Sequence, residues 1–215
     1  MDIQHSVNGY QQLLNKLTHG NEISPEEPLK QQQRPVSDYS DKVSLSYQAD
    51  KMKAISREFF SGTIHSSQIP ALTQRLYEEG FISSQEFKQL GGNGQKVSAV
   101  SESAAFVNNW VVDALKKGDM ETAKNLVKVA DALANVNSRS TLELRQAEAE
   151  AFEIMSQLAD QKKQDGAEQS MLDSIQKVLD VFSALAKVRN SEQVNGAIAG
   201  YEQVEQAYDE LLQNN

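Results

Sequence analysis

The sequence predicts an all-α protein: an antiparallel bundle of about five helices, preceded by a small helical module and a flexible N-terminal arm. Three observations point there. All four prolines (Pro25, Pro28, Pro35 and Pro70) lie within the first 70 of 215 residues, so the remainder contains no obligate helix breaker. From residue 100 onward, apolar residues recur at steps of three and four, the spacing that keeps one stripe on one helix face. The segments carrying that rhythm are joined by only a few residues, which makes neighbours run antiparallel. The expected units are an arm over 1–43, a module over 44–95 and a bundle over 96–215.

Within the arm, Ile3, Val7, Tyr10, Leu13, Leu14 and Leu17 suit a short amphipathic helix over 2–19 that ends near Gly20. Residues 20–43 carry almost no apolar side chains and hold three of the prolines. They cannot repay the entropy of ordering and read as a flexible linker. Beyond Ser44 the texture changes. Tyr47, Met52, Ile55, Phe59 and Phe60 suit one helix, and Ile69, Leu72, Leu76 and Tyr77 suit a second with Pro70 in its first turn. Gly80 marks a C-terminal stop, and Ser83-Ser84-Gln85-Glu86 forms a capping box that starts a third helix running to Leu90. Six of the chain's 14 aromatic residues fall in this stretch, a density expected of a packed module or a docking surface. Gly91-Gly92-Asn93-Gly94 then reads as a joint.

The bundle helices follow in order. The first carries Val100, Ala104, Val107, Val111 and Ala114. The second starts at the capping residue Asp119 and carries Met120, Ala123, Val127, Ala130 and Ala134. The third begins at a capping box, Ser140-Thr141-Leu142-Glu143, and carries Leu144, Ala147, Ala151, Ile154 and Leu158. The fourth follows Asp165-Gly166 with Met171, Ile175, Val178, Phe182 and Leu185. The last carries Val194, Ala197, Tyr201, Val204, Tyr208 and Leu211. Gly196 and Gly200 fall inside this last stretch, where a close helix approach would offset their poor helix propensity. Tyr201 and Tyr208 lie on its apolar stripe, so their hydroxyls must reach the bundle edge or another chain.

Charge and composition exclude several functions. Residues 1–95 carry 9 basic against 11 acidic side chains and residues 96–215 carry 12 against 19, leaving −2 and −7. Such a surface repels phosphate backbones and anionic headgroups, so neither nucleic acid nor a membrane is an expected partner. With no Cys there is no disulfide, thiolate zinc site, iron–sulfur cluster or thiol nucleophile. The start of the chain shows no signal-peptide pattern and no apolar run reaches membrane-spanning length, so a soluble cytoplasmic protein is expected.

His5, His19 and His65 all precede the bundle, which leaves the Glu-x-x-His pairs of di-iron bundles without histidines and His65 as an ordinary polar residue. No Gly-x-Ser-x-Gly elbow occurs. In Gly91–Lys96 a glutamine separates the lysine from the last glycine, unlike a phosphate loop. Gly80, Ile82, Glu86 and Phe87 fit parts of an EF-hand, but Arg75 and Tyr77 occupy ligand positions and exclude calcium. Glu148, Glu150 and Glu153 fall on the polar side of their stripe and are expected to be solvated. No catalytic, cofactor-binding or metal-binding residue is assigned, and no cofactor is expected.

Three short stretches resemble known families. Leu76–Phe87 resembles the two-helix SHOCT module, which implies an interaction role. Gly118-Asp119-Met120-Glu121-Thr122-Ala123 with Ala130 is similar to the middle of a tetratricopeptide repeat, although Asn135 stands where that family closes on proline and no second copy follows. Asp41–Ala49 is similar to a segment of flagellar anti-sigma factors, which implies a sigma-factor or export-chaperone regulator.

The function expected from all this is a non-enzymatic protein–protein interaction, adaptor or regulatory role on a helical platform, with another protein as partner and self-association possible through the C-terminal helices. Candidate partner-binding residues are Phe59, Phe60, Tyr77, Phe81, Phe87 and Trp110. The alternative is a small-molecule-binding or enzymatic bundle whose site is assembled from distant polar residues.

Overall fold

A computed structural model describes residues 38–62, 66–91, 97–195 and 200–213. Among them every regular element is helical. The helices are α1 (Asp38–Phe59), α2 (Ile69–Glu78), α3 (Ser84–Gln89), α4 (Ala99–Lys116), α5 (Met120–Ala134), α6 (Leu142–Gln164), α7 (Gln169–Asn195) and α8 (Tyr201–Gln213), with a 3₁₀ turn at Ser66–Gln68 leading into α2. The expected helix over 2–19, the linker up to residue 37, the three histidines and Gly196 lie outside the described residues. Residues 38–43, assigned to the linker, are instead the first turns of α1, so the boundary expected at 43/44 falls inside a helix. The added turns have something to pack on: Val43 and Tyr47 rest against the bundle core.

Local chemistry sets the ends. At α2, the Phe81 amide donates to the Leu76 carbonyl and the Gly80 amide to the Tyr77 carbonyl, each at 2.9 Å. This crossed pair needs a left-handed residue at Gly80, whose φ is 75°. The same pattern closes α4, through Asp119 to Ala114 and Gly118 to Leu115, with φ 74° at Gly118. Ser83 and Glu86 form the expected capping box, and the Asp119 carboxylate accepts from the Thr122 amide at 3.1 Å. The cap of α6 is one residue later than expected: Thr141, not Ser140, accepts from the Leu144 amide.

The bundle buries one continuous core drawn from α4 to α8. All five expected stripe residues of α4 are buried, as are Ile175, Val178, Phe182 and Leu185 of α7. In α5 the face is rotated from the expected one. Leu126, Val129 and Leu133 are buried with Ala123 and Ala130, while Met120 and Ala134 are exposed. The larger side chains win because burying a Leu or Val is worth about 1.5–3 kcal/mol, more than an Ala can return. In α6, Ala147 is exposed and Glu148 takes its place inside. The expected final helix is divided between two elements: Val194 lies in the last turn of α7, and Gly200 precedes α8 rather than lying within it. The α8 stripe is used inside the chain, with Val204, Ala207 and Tyr208 buried in a helix that packs on α7 and α4.

A second, smaller core joins the module to the bundle. Ile55 and Phe59 of α1, Leu76 and Tyr77 of α2, Ile82 of the turn and Phe87 of α3 close over Ala105 of α4. Helix α4 is therefore clamped on both sides, touching α1 and α2 on one and α5, α7 and α8 on the other.

Candidate functional site

Where the module meets the bundle, polar side chains become structural. Asn108 and Ser101 lie on the α4 face turned to α1 and α2, and both are buried. The Tyr47 hydroxyl donates to Asn108 Oδ1 at 2.7 Å, and Asn108 Nδ2 donates to the Glu78 carbonyl at 2.9 Å. The buried Glu78 carboxylate accepts from the Ser101 hydroxyl at 2.7 Å, from Gln74 Nε2 at 2.9 Å and, more weakly, from the Tyr201 hydroxyl at 3.4 Å. Arg75 bridges to Glu79 at 2.9 Å, and Lys51 reaches Glu79 at 3.1 Å from α1. Burial, and then the negative charge of Glu79, raises the Tyr47 phenol well above its ordinary value. Burial and Glu78 do the same for Tyr201. Both therefore remain proton donors at neutral pH. Four elements (α1, α2, α4 and α8) converge on this seam.

Beside it opens a cleft of about 390 Å³, between the α2–α3 turn, α4 and α7. Tyr77, Ile82, Ala105 and Phe106 supply apolar wall, while Ser83, Ser84, Ser103, Asn109, Ser174, Glu102 and Lys177 supply polar groups. Lys177 of α7 pairs with Glu102 of α4. That hydrogen bond raises the Lys177 ammonium above the usual lysine value, against an opposing contribution from burial. Gly80 forms part of the rim geometry: a Cβ there would stand 2.7 Å from Asn109 Oδ1, so the turn and α4 approach as closely as a bare glycine permits.

One lining group stands out by what it lacks. Ser103 is 1% exposed, and its Oγ has no hydrogen-bond partner. Other helical serines here hydrogen-bond their own backbone: Ser156, Ser174, Ser183 and Ser191 each donate to the carbonyl four residues back, at 2.8–3.2 Å. Ser103 does not.

The six residues expected to bind a partner scatter over this frame. Phe59, Tyr77 and Phe87 are buried in the second core, where the Tyr77 and Phe87 rings lie 5.0 Å apart, and Phe81 packs against it half-buried. Phe60 is 44% exposed at the end of α1. Trp110 is half-buried on Phe106, with ring centroids 5.6 Å apart. Of the six, Tyr77 borders the cleft. Sequence reasoning placed Ser83 and Ser84 in a capping box but did not single out Glu102, Ser103, Ser174 or Lys177. These come from helices some 70 residues apart.

A second polar centre sits at the connection between α5 and α6, where the Tyr201 amide donates to Asn137 Oδ1 at 3.0 Å. Glu148, expected to be solvated, is buried against Arg189, which is 1% exposed. Arg189 Nη2 and Nε donate to Glu148 Oε1 at 2.8 and 3.1 Å. Its fork also donates to the Ser138 carbonyl at 2.9 Å and the Val136 carbonyl at 3.3 Å. Arg189 thus ties α6 and α7 to the connection between α5 and α6. Among the described residues no group of three or more His, Asp or Glu side chains is placed to hold a metal ion, and no helix is long and apolar enough to cross a membrane.

No family model, curated protein or solved structure matches the chain. The three short resemblances map onto the α2–α3 turn, the α4–α5 connection and the first half of α1. In that half of α1, Val43, Ser44 and Tyr47 face inward on the chain itself.

Proposed function

We propose that the protein is a non-enzymatic interaction protein, a helical platform that docks an extended segment of another polypeptide in the cleft between its α2–α3 turn and its bundle. The observation that carries this reading is the cleft's make-up. It is open to solvent, its volume is in the range of about 300–1,000 Å³ common for binding sites, and its lining combines apolar side chains with hydroxyl and amide groups and one ion pair. Specific interfaces likewise combine apolar and polar contacts. Rigidity supports it further: the turn is held to α4 by the Glu78 and Asn108 bonds, so docking would cost little ordering of the platform.

Photo-crosslinkable residues installed at Ser84 and at Ser174, on opposite walls of the cleft, test this in cells. A third at Glu153, on the exposed face of α6, serves as control. Discrete conjugates from both cleft positions and none from Glu153 are expected. No conjugate from the cleft, or the same products from Glu153, would remove the reading.

A further inference from the structure

The groups that an occupant can reach define what the cleft binds, an inference that rests on the docking reading above. We infer that Asn109 reads the partner's main chain. Its carboxamide donates to the carbonyl and accepts from the N–H of one residue of the extended segment, which excludes proline at that residue.

Access selects first. Tyr77, Ile82 and Ala105 are buried, and Ser103 Oγ is shut off from solvent. Among the lining residues Phe106 is the apolar one that keeps partial exposure, so most of what an occupant meets is polar. Existing bonds select next. Glu102 and Lys177 hold each other, and an entering ion could pair with either only by displacing the other. Ser83 Oγ accepts from the Glu86 amide and donates to the Glu86 carboxylate, and Ser174 donates to the Ser170 carbonyl. Among the described residues that leaves the Ser84 hydroxyl and the Asn109 carboxamide, both exposed and both without a hydrogen-bond partner.

Of these two, the carboxamide alone sets a donor and an acceptor side by side. It is also held in place. Its Oδ1, Cγ and Nδ2 lie 2.7, 3.2 and 3.5 Å from where a Cβ of Gly80 would stand, so the turn packs against the amide without bonding to it. Little rotamer freedom is left to lose on binding. The match for a fixed donor–acceptor pair is an N–H and a C=O on one edge. A residue of an extended chain presents both, as it does in a strand pair where two opposed residues exchange both bonds. An amide side chain offers the same pair, but it must itself be immobilised at a cost of about 0.5–1.5 kcal/mol.

The probes are acetyl-alanine-methylamide, which carries the residue's N–H and C=O and no polar side chain, and acetyl-proline-methylamide, which lacks that N–H. Each is titrated at millimolar concentration into the isotope-labelled full chain while its amide resonances are followed. The alanine probe is expected to shift Ser84 and Asn109, and the proline probe to bind about fivefold more weakly, the worth of one ordinary hydrogen bond. Asn109→Leu keeps the side chain's shape and removes the pair. It is expected to bind both probes equally and to lose most of the conjugates formed from Ser84 and Ser174. Its melting point should stay within about 2 °C of wild type, because an exposed group that bonds nothing in the fold contributes little to stability. No shift with the alanine probe, a proline probe as tight as the alanine one, an Asn109→Leu chain that still separates the two, undiminished conjugates from Asn109→Leu, or a larger fall in its melting point would each overturn the inference. If one of these occurs while wild type still forms conjugates from Ser84 and Ser174, the docking reading stands and only this inference falls; if wild type forms none, both fall.

Discussion

Glu78 and Glu148 are both buried, yet their surroundings neutralise them by different means. Glu148 meets a single guanidinium, and the remaining donors of Arg189 satisfy carbonyls of the 135–138 connection. Glu78 accepts from neutral donors on three elements, with Arg75 Nη1 3.8 Å from its Oε2. The first arrangement concentrates the cost of burial on one partner, whereas the second spreads it over the seam. The difference teaches where the chain is brittle: it should fail all at once if Arg189 is lost, and locally if a seam donor is lost.

Arg189→Met is the hardest way to break the comparison. It leaves a carboxylate buried without its cation and should cost about 3–5 kcal/mol in denaturant unfolding. Adding Glu148→Leu should restore most of that loss, because the penalty comes from the orphaned charge rather than from missing attraction. A double variant as unstable as the single would show that the bonds to the connection's carbonyls, not the charge, are decisive.

At the seam, Asn108→Ala unpairs the Tyr47 hydroxyl and the Glu78 carbonyl together and should cost about 1–3 kcal/mol. Its signature is location. Hydrogen exchange should quicken in α1 and α2 while α6 and α7 keep their protection, since those helices share no bond with Asn108. Alkali sharpens the contrast without mutation. The folded state holds the Tyr47 and Tyr201 phenols above their ordinary value of 10.0. Their contribution is therefore fully present below pH 10 and is lost as pH rises above it, when the unfolded chain ionises first. The hydroxyls of both tyrosines serve the Glu78 seam. Raising the pH from 9 to 11 should therefore destabilise wild type more than a variant with Tyr47→Phe and Tyr201→Phe, as measured by the thermal midpoint.

How much of this was readable from sequence depends on whether the deciding partner lay nearby in the chain. The Val100–Ala114 stripe, the Ser83–Glu86 capping box and the Gly80 stop rest on neighbours within one or two turns, and each stands as expected. The second buried face of α4, carrying Ser101, Ala105 and Asn108, reads as a polar flank because nothing local says that α1 and α2 will cover it. Arg189 is, in the sequence, merely the last basic residue, and Glu148 read as one of several solvated carboxylates. Their pairing spans 41 positions. The cleft was illegible for the same reason: Ser103 and Lys177 acquire meaning only once α4 and α7 are side by side. The division of the last segment was missed because Val194, Tyr201 and Val204 keep helical spacing across it.

The smallest effect supplies the control for the whole comparison. Lys128 and Glu150 link α5 to α6 at 2.6 Å, closer than the 2.8 Å between Arg189 and Glu148, yet both of their side chains are 55% exposed. If distance ranked these interactions, Lys128→Ala would be the more damaging change. Burial ranks them instead. Water screens an exposed pair and two long side chains must be ordered to make it, so Lys128→Ala should cost about 0.2–1 kcal/mol, shrinking further in 1 M salt. The Arg189→Met loss should barely respond to that salt, because ions cannot screen a pair from which solvent is excluded. Measured together at low and high salt, the two variants separate contact distance from desolvation as the quantity that governs where this bundle is fragile.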